Sequence, residues 1–218
     1  LSLCDLDPEL IKLANKECLL SSTYEPSSKT KMKLRAAPGA GTMYLQSECA
    51  EALAELFAGA EEAGYKLYLK SAYRAYKTQK TMYNNRLERN NGKDDGWVSK
   101  PGASDHQTGL GCDVVPGSWK DKSMNSNMAS TPECQWMAEH CYEYGFVIRY
   151  PEDKQDITEI NYEPWHLRYV GKEVARYIWR NGLCLEEFHE QLQAAIDAYL
   201  AAGGDARRVE DLIQTSAE

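Results

Sequence analysis

His106, Asp113 and His166 offer two imidazoles and a carboxylate, a donor set that can fill three corners of a tetrahedron around one zinc ion and leave the fourth for water. Glu163 stands three residues before the second histidine and is left over to take a proton from that water. The chemistry implied is metal-assisted hydrolysis. Taken singly, either histidine reads as well as a hydrogen-bonded or solvated residue. Together they read differently, because the chain has only four histidines and two of them fall in compact clusters, Ser104–Asp113 and Glu163–His166. The other two, His140 and His189, fall in helical patterns where surface exposure or packing explains them.

The spacing sets a condition on the backbone. His106 and Asp113 are seven apart, which no single helix or strand turns toward one point. Gly109 and Gly111 can release the chain between them, so that a loop histidine and a strand aspartate face one ion. Pro164 interrupts any regular ladder between Glu163 and His166 in the same way.

The elements that must hold these residues alternate in type. Residues 1–36 open with a short helical pattern (Leu10, Ile11, Leu13, Ala14), turn polar, and are expected to form an arm over the main domain. A break at Ala36–Gly41 precedes a helix from Ser47, read as its cap, to Gly64, with a buried stripe through Leu53, Leu56 and Phe57. Lys66–Lys70 alternates as a strand and delivers Ser71-Ala72-Tyr73-Arg74, and a helix follows over about Thr78–Asn90. Leu110–Val115 is a strand, 118–130 a surface loop, and Thr131-Pro132 opens a helix that Gly145 stops. Strands are expected at Phe146–Tyr150 and Trp165–Val170, with Asp156–Asn161 as a returning edge. Helices over Gly171–Asn181 and Glu186–Ala202 complete an α+β chain: a catalytic domain at 37–185 and a helical extension at 186–218.

Composition narrows the partners. A formal net charge of −8 argues against a nucleic-acid or anionic-membrane surface, since both select basic patches. No apolar run approaches the roughly 20 residues that span a bilayer. The chain starts at Leu1 rather than Met, so a trimmed leader or a missing N-terminal membrane anchor is compatible with it. Seven cysteines without a CxxC pair favour an oxidising, extracytoplasmic setting with up to three disulfides. Cys134 and Cys141, about 10.5 Å apart on one helix, cannot bridge each other, and Cys112 is the expected unpaired thiol.

Ser104-x-His106-x-x-Gly109-x-x-x-Asp113, Glu163-x-Trp165-His166 and Ser71-x-Tyr73-Arg74 resemble the three signatures of the VanY-type D-alanyl-D-alanine carboxypeptidases, zinc peptidases of bacterial cell walls. The similarity covers roughly residues 37–185. The resemblance implies a Hedgehog/DD-peptidase-like zinc domain, a small antiparallel sheet flanked by helices. It implies one zinc ion held by His106, Asp113 and His166, with Glu163 as general base. It places Arg74 and Ser104 at the terminal carboxylate of a peptidoglycan stem peptide, with Gln79 and Tyr150 lining the pocket. A guanidinium suits that task because its rigid fork grips a carboxylate bidentately. Gly111 departs from the pattern, where alanine is expected. The implied reaction is removal of the terminal D-alanine outside the cytoplasm. The alternatives are L,D-carboxypeptidase or endopeptidase action on the same wall peptides, a non-catalytic zinc-stabilised wall-binding module, and a cysteine hydrolase using Cys112.

Overall fold

The computed structural model describes residues 2–217. In chain order the elements are β1 (Thr30–Lys31), β2 (Tyr44–Leu45), α1 (Ser47–Glu62), β3 (Leu67–Ser71), α2 (Tyr76–Arg89) and β4 (Gly111–Pro116). They continue with α3 (Pro132–His140), β5 (Phe146–Ile148), α4 (Gln155–Thr158), β6 (His166–Tyr169), α5 (Lys172–Asn181) and α6 (Leu185–Ala201). β1 and β2 form a small antiparallel pair. The main sheet runs β3-β4-β6-β5, antiparallel throughout.

The register of that sheet sorts the chain into a packing face and a chemical face. Residues opposite each other on neighbouring strands point the same way, and successive residues alternate. Cys112 pairs with Leu167, Val114 with Leu69, and Phe146 with Tyr169. All of these belong to the core cluster that also contains Leu53, Leu56 and Phe57 of α1 and Met137 of α3. On the other face Ser71, turned over by a register shift between Leu69 and Ser71, pairs with Asp113 and Asp113 with His166, so three polar residues stand in a row across three strands. Gly111 pairs with Arg168 and Arg168 with Val147 on that same face. A second apolar cluster joins Ile11 and Leu13 of the N-terminal arm to Val174 and Ile178 of α5 and to Phe188, Leu192 and Ile196 of α6.

Several local expectations are corrected. Leu10, Ile11, Leu13 and Ala14 are buried but not helical. The backbone carbonyls that a helix would use are taken by buried guanidiniums: Arg168 donates to Leu10 and Lys12, and Arg149 to Ala14. Asp156–Asn161 is no strand. It begins as the single turn α4, Glu159 takes a left-handed conformation, and Asn161 donates its N–H to Gly96 in the loop before the site. Ser47 lies inside α1, and the cap is Gln46, whose Oε1 accepts from the Cys49 N–H at 3.0 Å. α3 stops at His140, with Cys141 opening a 3-10 turn, and Gly145 ends that turn with φ +90°.

The expected disulfides are absent too: all seven cysteines are free thiols. Cys49, Cys112, Cys134 and Cys141 fill the first core cluster as small apolar residues. Cys184 is buried at the start of α6.

Candidate active site

β4 and β6 bring Asp113 and His166 side by side, and a 3-10 turn over Asp105–Thr108 brings His106 to the same point. Ser104 caps that turn by accepting the His106 N–H, and Gly109 ends it with φ +70°, a conformation that glycine adopts without steric cost. The turn lets residues seven apart converge. Glu163, Pro164 and Trp165 form another tight turn, in which the His166 N–H bonds the Glu163 carbonyl at 3.2 Å.

The donor atoms of His106, Asp113 and His166 all lie within 4.8 Å of one another. His106 Nε2 is 3.4 Å from Asp113 Oδ2, and His166 Nδ1 is 3.2 Å from Asp113 Oδ1. A tetrahedron built with zinc–ligand bonds of 2.0–2.1 Å has edges of about 3.3 Å, so these separations suit such a site. Tautomer chemistry gives a stricter test. His106 Nδ1 is 2.8 Å from the Ala72 carbonyl, which can only accept, so a neutral ring carries its hydrogen there. Its Nε2 then turns a lone pair toward a carboxylate oxygen. Two acceptors facing each other in a buried site call for a cation between them, and Asp113 Oδ1, on the His166 side, has no hydrogen-bond partner among the described residues. The donor set fits zinc.

Electrostatics agree with the geometry. Burial pushes the Asp113 carboxyl upward, but the two imidazoles outweigh it and hold the group well below the usual range. Burial also depresses His106, and Arg74 adds to that. For His166 burial works downward, yet Asp105 and Asp113 raise it to about 9 in the ion-free protein. Burial raises Glu163 to about 8, against the pull of His166. Its Oε2 lies 3.5 Å from His166 Nδ1.

One cleft of about 480 Å³ is lined by His106, Asp113, Glu163 and His166. Arg74, in the short connection between β3 and α2, lies along its wall with Ser104 and Tyr150. The Tyr150 ring packs 5.0 Å from that of His166. Gln79 faces the cleft less than it serves Arg74, for it accepts from Arg74 Nη1 at 2.9 Å and donates to the Ser99 carbonyl at 2.7 Å. All eight residues singled out in the sequence thus meet in one place. Sequence reasoning missed Trp97, which stacks on Trp165 at 6.3 Å and is 37% exposed at the cleft. It also missed Met82, Arg86 and Met124, which complete the walls. Met82 and Arg86 follow Gln79 by three and seven residues on α2, a helical spacing that could have found them, whereas nothing in the loops announces Trp97 or Met124. Asp105 was missed as well, although a carboxylate beside a candidate ligand was a signal in plain view.

Cys112 shares none of this. It sits on the packing face of β4, fully buried, and burial raises its thiol well above the ordinary value.

The model of the D-alanyl-D-alanine carboxypeptidase (VanY) family matches residues 42–172. The chain is 39% identical over 191 residues to YodJ of Bacillus subtilis, named as a carboxypeptidase, covering 86% of this chain and 70% of that one. Among solved structures, the LD-carboxypeptidase LdcB superposes with a TM-score of 0.78 at 40% identity, over 84% of this chain and 87% of that one. A point mutant of the vancomycin-resistance D,D-pentapeptidase VanY from a VanB-type cassette, solved with Zn(II), gives 0.68 at 28% identity, over 83% and 98%. Fold and site define a zinc metallopeptidase. The chain belongs to the VanY-type D-alanyl-D-alanine carboxypeptidase family.

Proposed function

We propose that this chain is a zinc-dependent D,D-carboxypeptidase that removes the terminal D-alanine from peptidoglycan stem peptides, and that it acts outside the cytoplasm, where such peptides lie. The observation that carries the reading is the His106–Asp113–His166 set beside an uncommitted Glu163, with the Arg74 guanidinium in the same cleft. His106 through Nε2, His166 through Nδ1 and Asp113 would hold the ion. When bound, zinc polarises the scissile carbonyl and makes water a stronger acid.

The chain's own residues supply the rest. Arg74 binds the peptide's terminal carboxylate and so sets exopeptidase register. Ser104 accepts the His106 N–H and keeps its own hydroxyl hydrogen free to donate to that carboxylate. Glu163 takes the proton of the attacking water, holds it within a buried site, and passes it to the departing amine. Tyr150 packs against the His166 ring and walls the cleft. Glu163→Ala is expected to leave zinc bound and abolish turnover, and near-native activity in that variant would overturn the mechanism.

A second reading has a specific basis: identity and superposition are both higher with the LD-carboxypeptidase LdcB than with VanY. Incubation with penta- and tetrapeptide stems, followed by mass spectrometry, separates the two. Loss of alanine from the pentapeptide alone supports D,D action, loss from the tetrapeptide L,D action, and cleavage only of cross-linked stems an endopeptidase. Binding to wall without cleavage of any stem would leave a non-catalytic module, a role that does not need Glu163.

A further inference from the structure

Behind the site lies a polar cluster the reaction does not use. Arg149 and Arg168 are almost completely buried. Arg149 Nε is 2.8 Å from Asp105 Oδ2, and Arg168 Nη1 is 2.8 Å from Asp105 Oδ1. Arg149 then grips Glu186 at the start of α6 through both terminal nitrogens, at 2.6 and 2.9 Å. Two guanidiniums against two carboxylates make the cluster neutral. Buried charges on this scale are costly unless every partner is present, so the arrangement calls for an explanation beyond packing.

Its inner end faces a candidate zinc ligand. His166 Nε2 is buried and has no hydrogen-bond partner among the described residues, and Asp105 Oδ2 faces it at 3.7 Å. A neutral imidazole carries one hydrogen, and the field behind the ring decides which nitrogen holds it. A fixed carboxylate behind Nε2 favours the hydrogen there and leaves the Nδ1 lone pair pointing at Asp113. Space for Asp105 is made by Gly111, where a Cβ would come within 2.8 Å of the Asp105 Cβ.

We propose that Asp105 and Glu186 are positioning residues for the metal centre. Glu186 neutralises and aims Arg149, Arg149 and Arg168 fix Asp105, and Asp105 fixes the tautomer and field of His166. Glu186 lies beyond residues 42–172, and so do the arm carbonyls that the two arginines also bind. The segments flanking the family region are therefore part of what makes the site a metal site. The inference rests on the zinc reading and adds residues that carry no chemistry themselves.

The test measures zinc affinity by competition with a chromophoric chelator, on the full chain, for the wild type, Asp105→Asn and Glu186→Gln. Each substitution keeps shape and removes one negative charge. Each is expected to weaken zinc by about ten- to a hundredfold. In the zinc-loaded wild type, 15N imidazole spectra are expected to show His166 protonated at Nε2, with that proton moving upfield in Asp105→Asn. A purely structural role would not move it. If the wild type binds no zinc, the reading of the site itself fails. If zinc binds equally to the wild type and to folded variants, the positioning role alone fails. Should neither variant fold, Glu186→Asp, which keeps the charge but draws it back from Arg149 by one methylene, decides: zinc affinity equal to the wild type overturns the proposal.

Discussion

Gln79 accepts a 2.9 Å hydrogen bond from Arg74 Nη1 while Ser71 Oγ accepts from Nη2 at 3.0 Å. Two neutral side chains thus aim a guanidinium without neutralising it, so its charge stays available to a ligand. Gln79 is held in turn by the Ser99 carbonyl, which ties α2 to the loop before the metal motif. Arg74, just past the end of β3, is therefore oriented both from α2 and from the last residue of the strand.

Gln79→Leu should accordingly damage recognition more than chemistry. We expect KM to rise and kcat/KM to fall by about a hundredfold, with kcat changed much less. Comparing a stem peptide with its C-terminal amide gives the control. The wild type should prefer the free acid strongly, and the preference should shrink in Gln79→Leu and in Arg74→Lys. An unchanged acid-to-amide ratio would remove Arg74 from the carboxylate site.

Gly111→Ala tests the room made for Asp105. The added Cβ would meet the Asp105 Cβ at 2.8 Å and its backbone carbonyl carbon at 3.1 Å, distances that force β4 and the Asp105 turn apart. Overpacking of this kind costs about 1–3 kcal/mol. Denaturant midpoints of the zinc-free proteins read that cost, and unchanged stability would show that the turn yields freely. Alanine is what the family resemblance leads one to expect at this position, so its cost here reflects how Asp105 packs in this chain.

How much of this could be read before the fold was known depended on where the information resides. His106, Asp113, Glu163 and His166 were legible because metal chemistry demands residue types that are rare and clustered. The strand carrying Asp113 was legible from its apolar neighbours. The pairing of Asp113 with His166 is a register, set by contacts between distant strands, and no local pattern encodes it. Leu10–Ala14 has helical spacing, but Arg149 and Arg168 take its carbonyls from more than a hundred residues away. Cysteine number suggested bridges, whereas five of the seven sulfurs are buried as ordinary core groups.

His189 gives the protein a dependence on pH that does not pass through the metal site. Its Nε2 lies 2.6 Å from the Ile11 carbonyl, pinning α6 to the arm. Burial lowers its pKa to about 4, the Ile11 bond and Glu186 oppose this, and Arg168 and Arg149 add to it. The folded state thus prefers the neutral ring. As pH falls below the ordinary value near 6.5, the unfolded chain takes up the proton first, and stability is lost until about pH 4. The stability lost in this way amounts to about 3 kcal/mol. Urea midpoints of zinc-free protein between pH 7.5 and 4.5 should fall faster for the wild type than for His189→Gln, which keeps a donor for Ile11. Parallel curves would show that His189 ionises freely in the fold.

Removal of metal and modification of thiols should have opposite consequences. Cys112 adjoins Asp113, but strand alternation turns it to the packing face, among residues with no solvent exposure. Its thiol is held above the ordinary range by burial first and by Cys49 and Asp113 next, so a reactive thiolate does not form. Cys4 is exposed and Cys18 half-buried. Iodoacetamide on the native protein should therefore mark Cys4 and Cys18 and leave turnover intact. A strong chelator should abolish turnover, and stoichiometric zinc should restore it. Activity that survives chelation but is lost as Cys112 is alkylated would replace the metallopeptidase with a cysteine hydrolase.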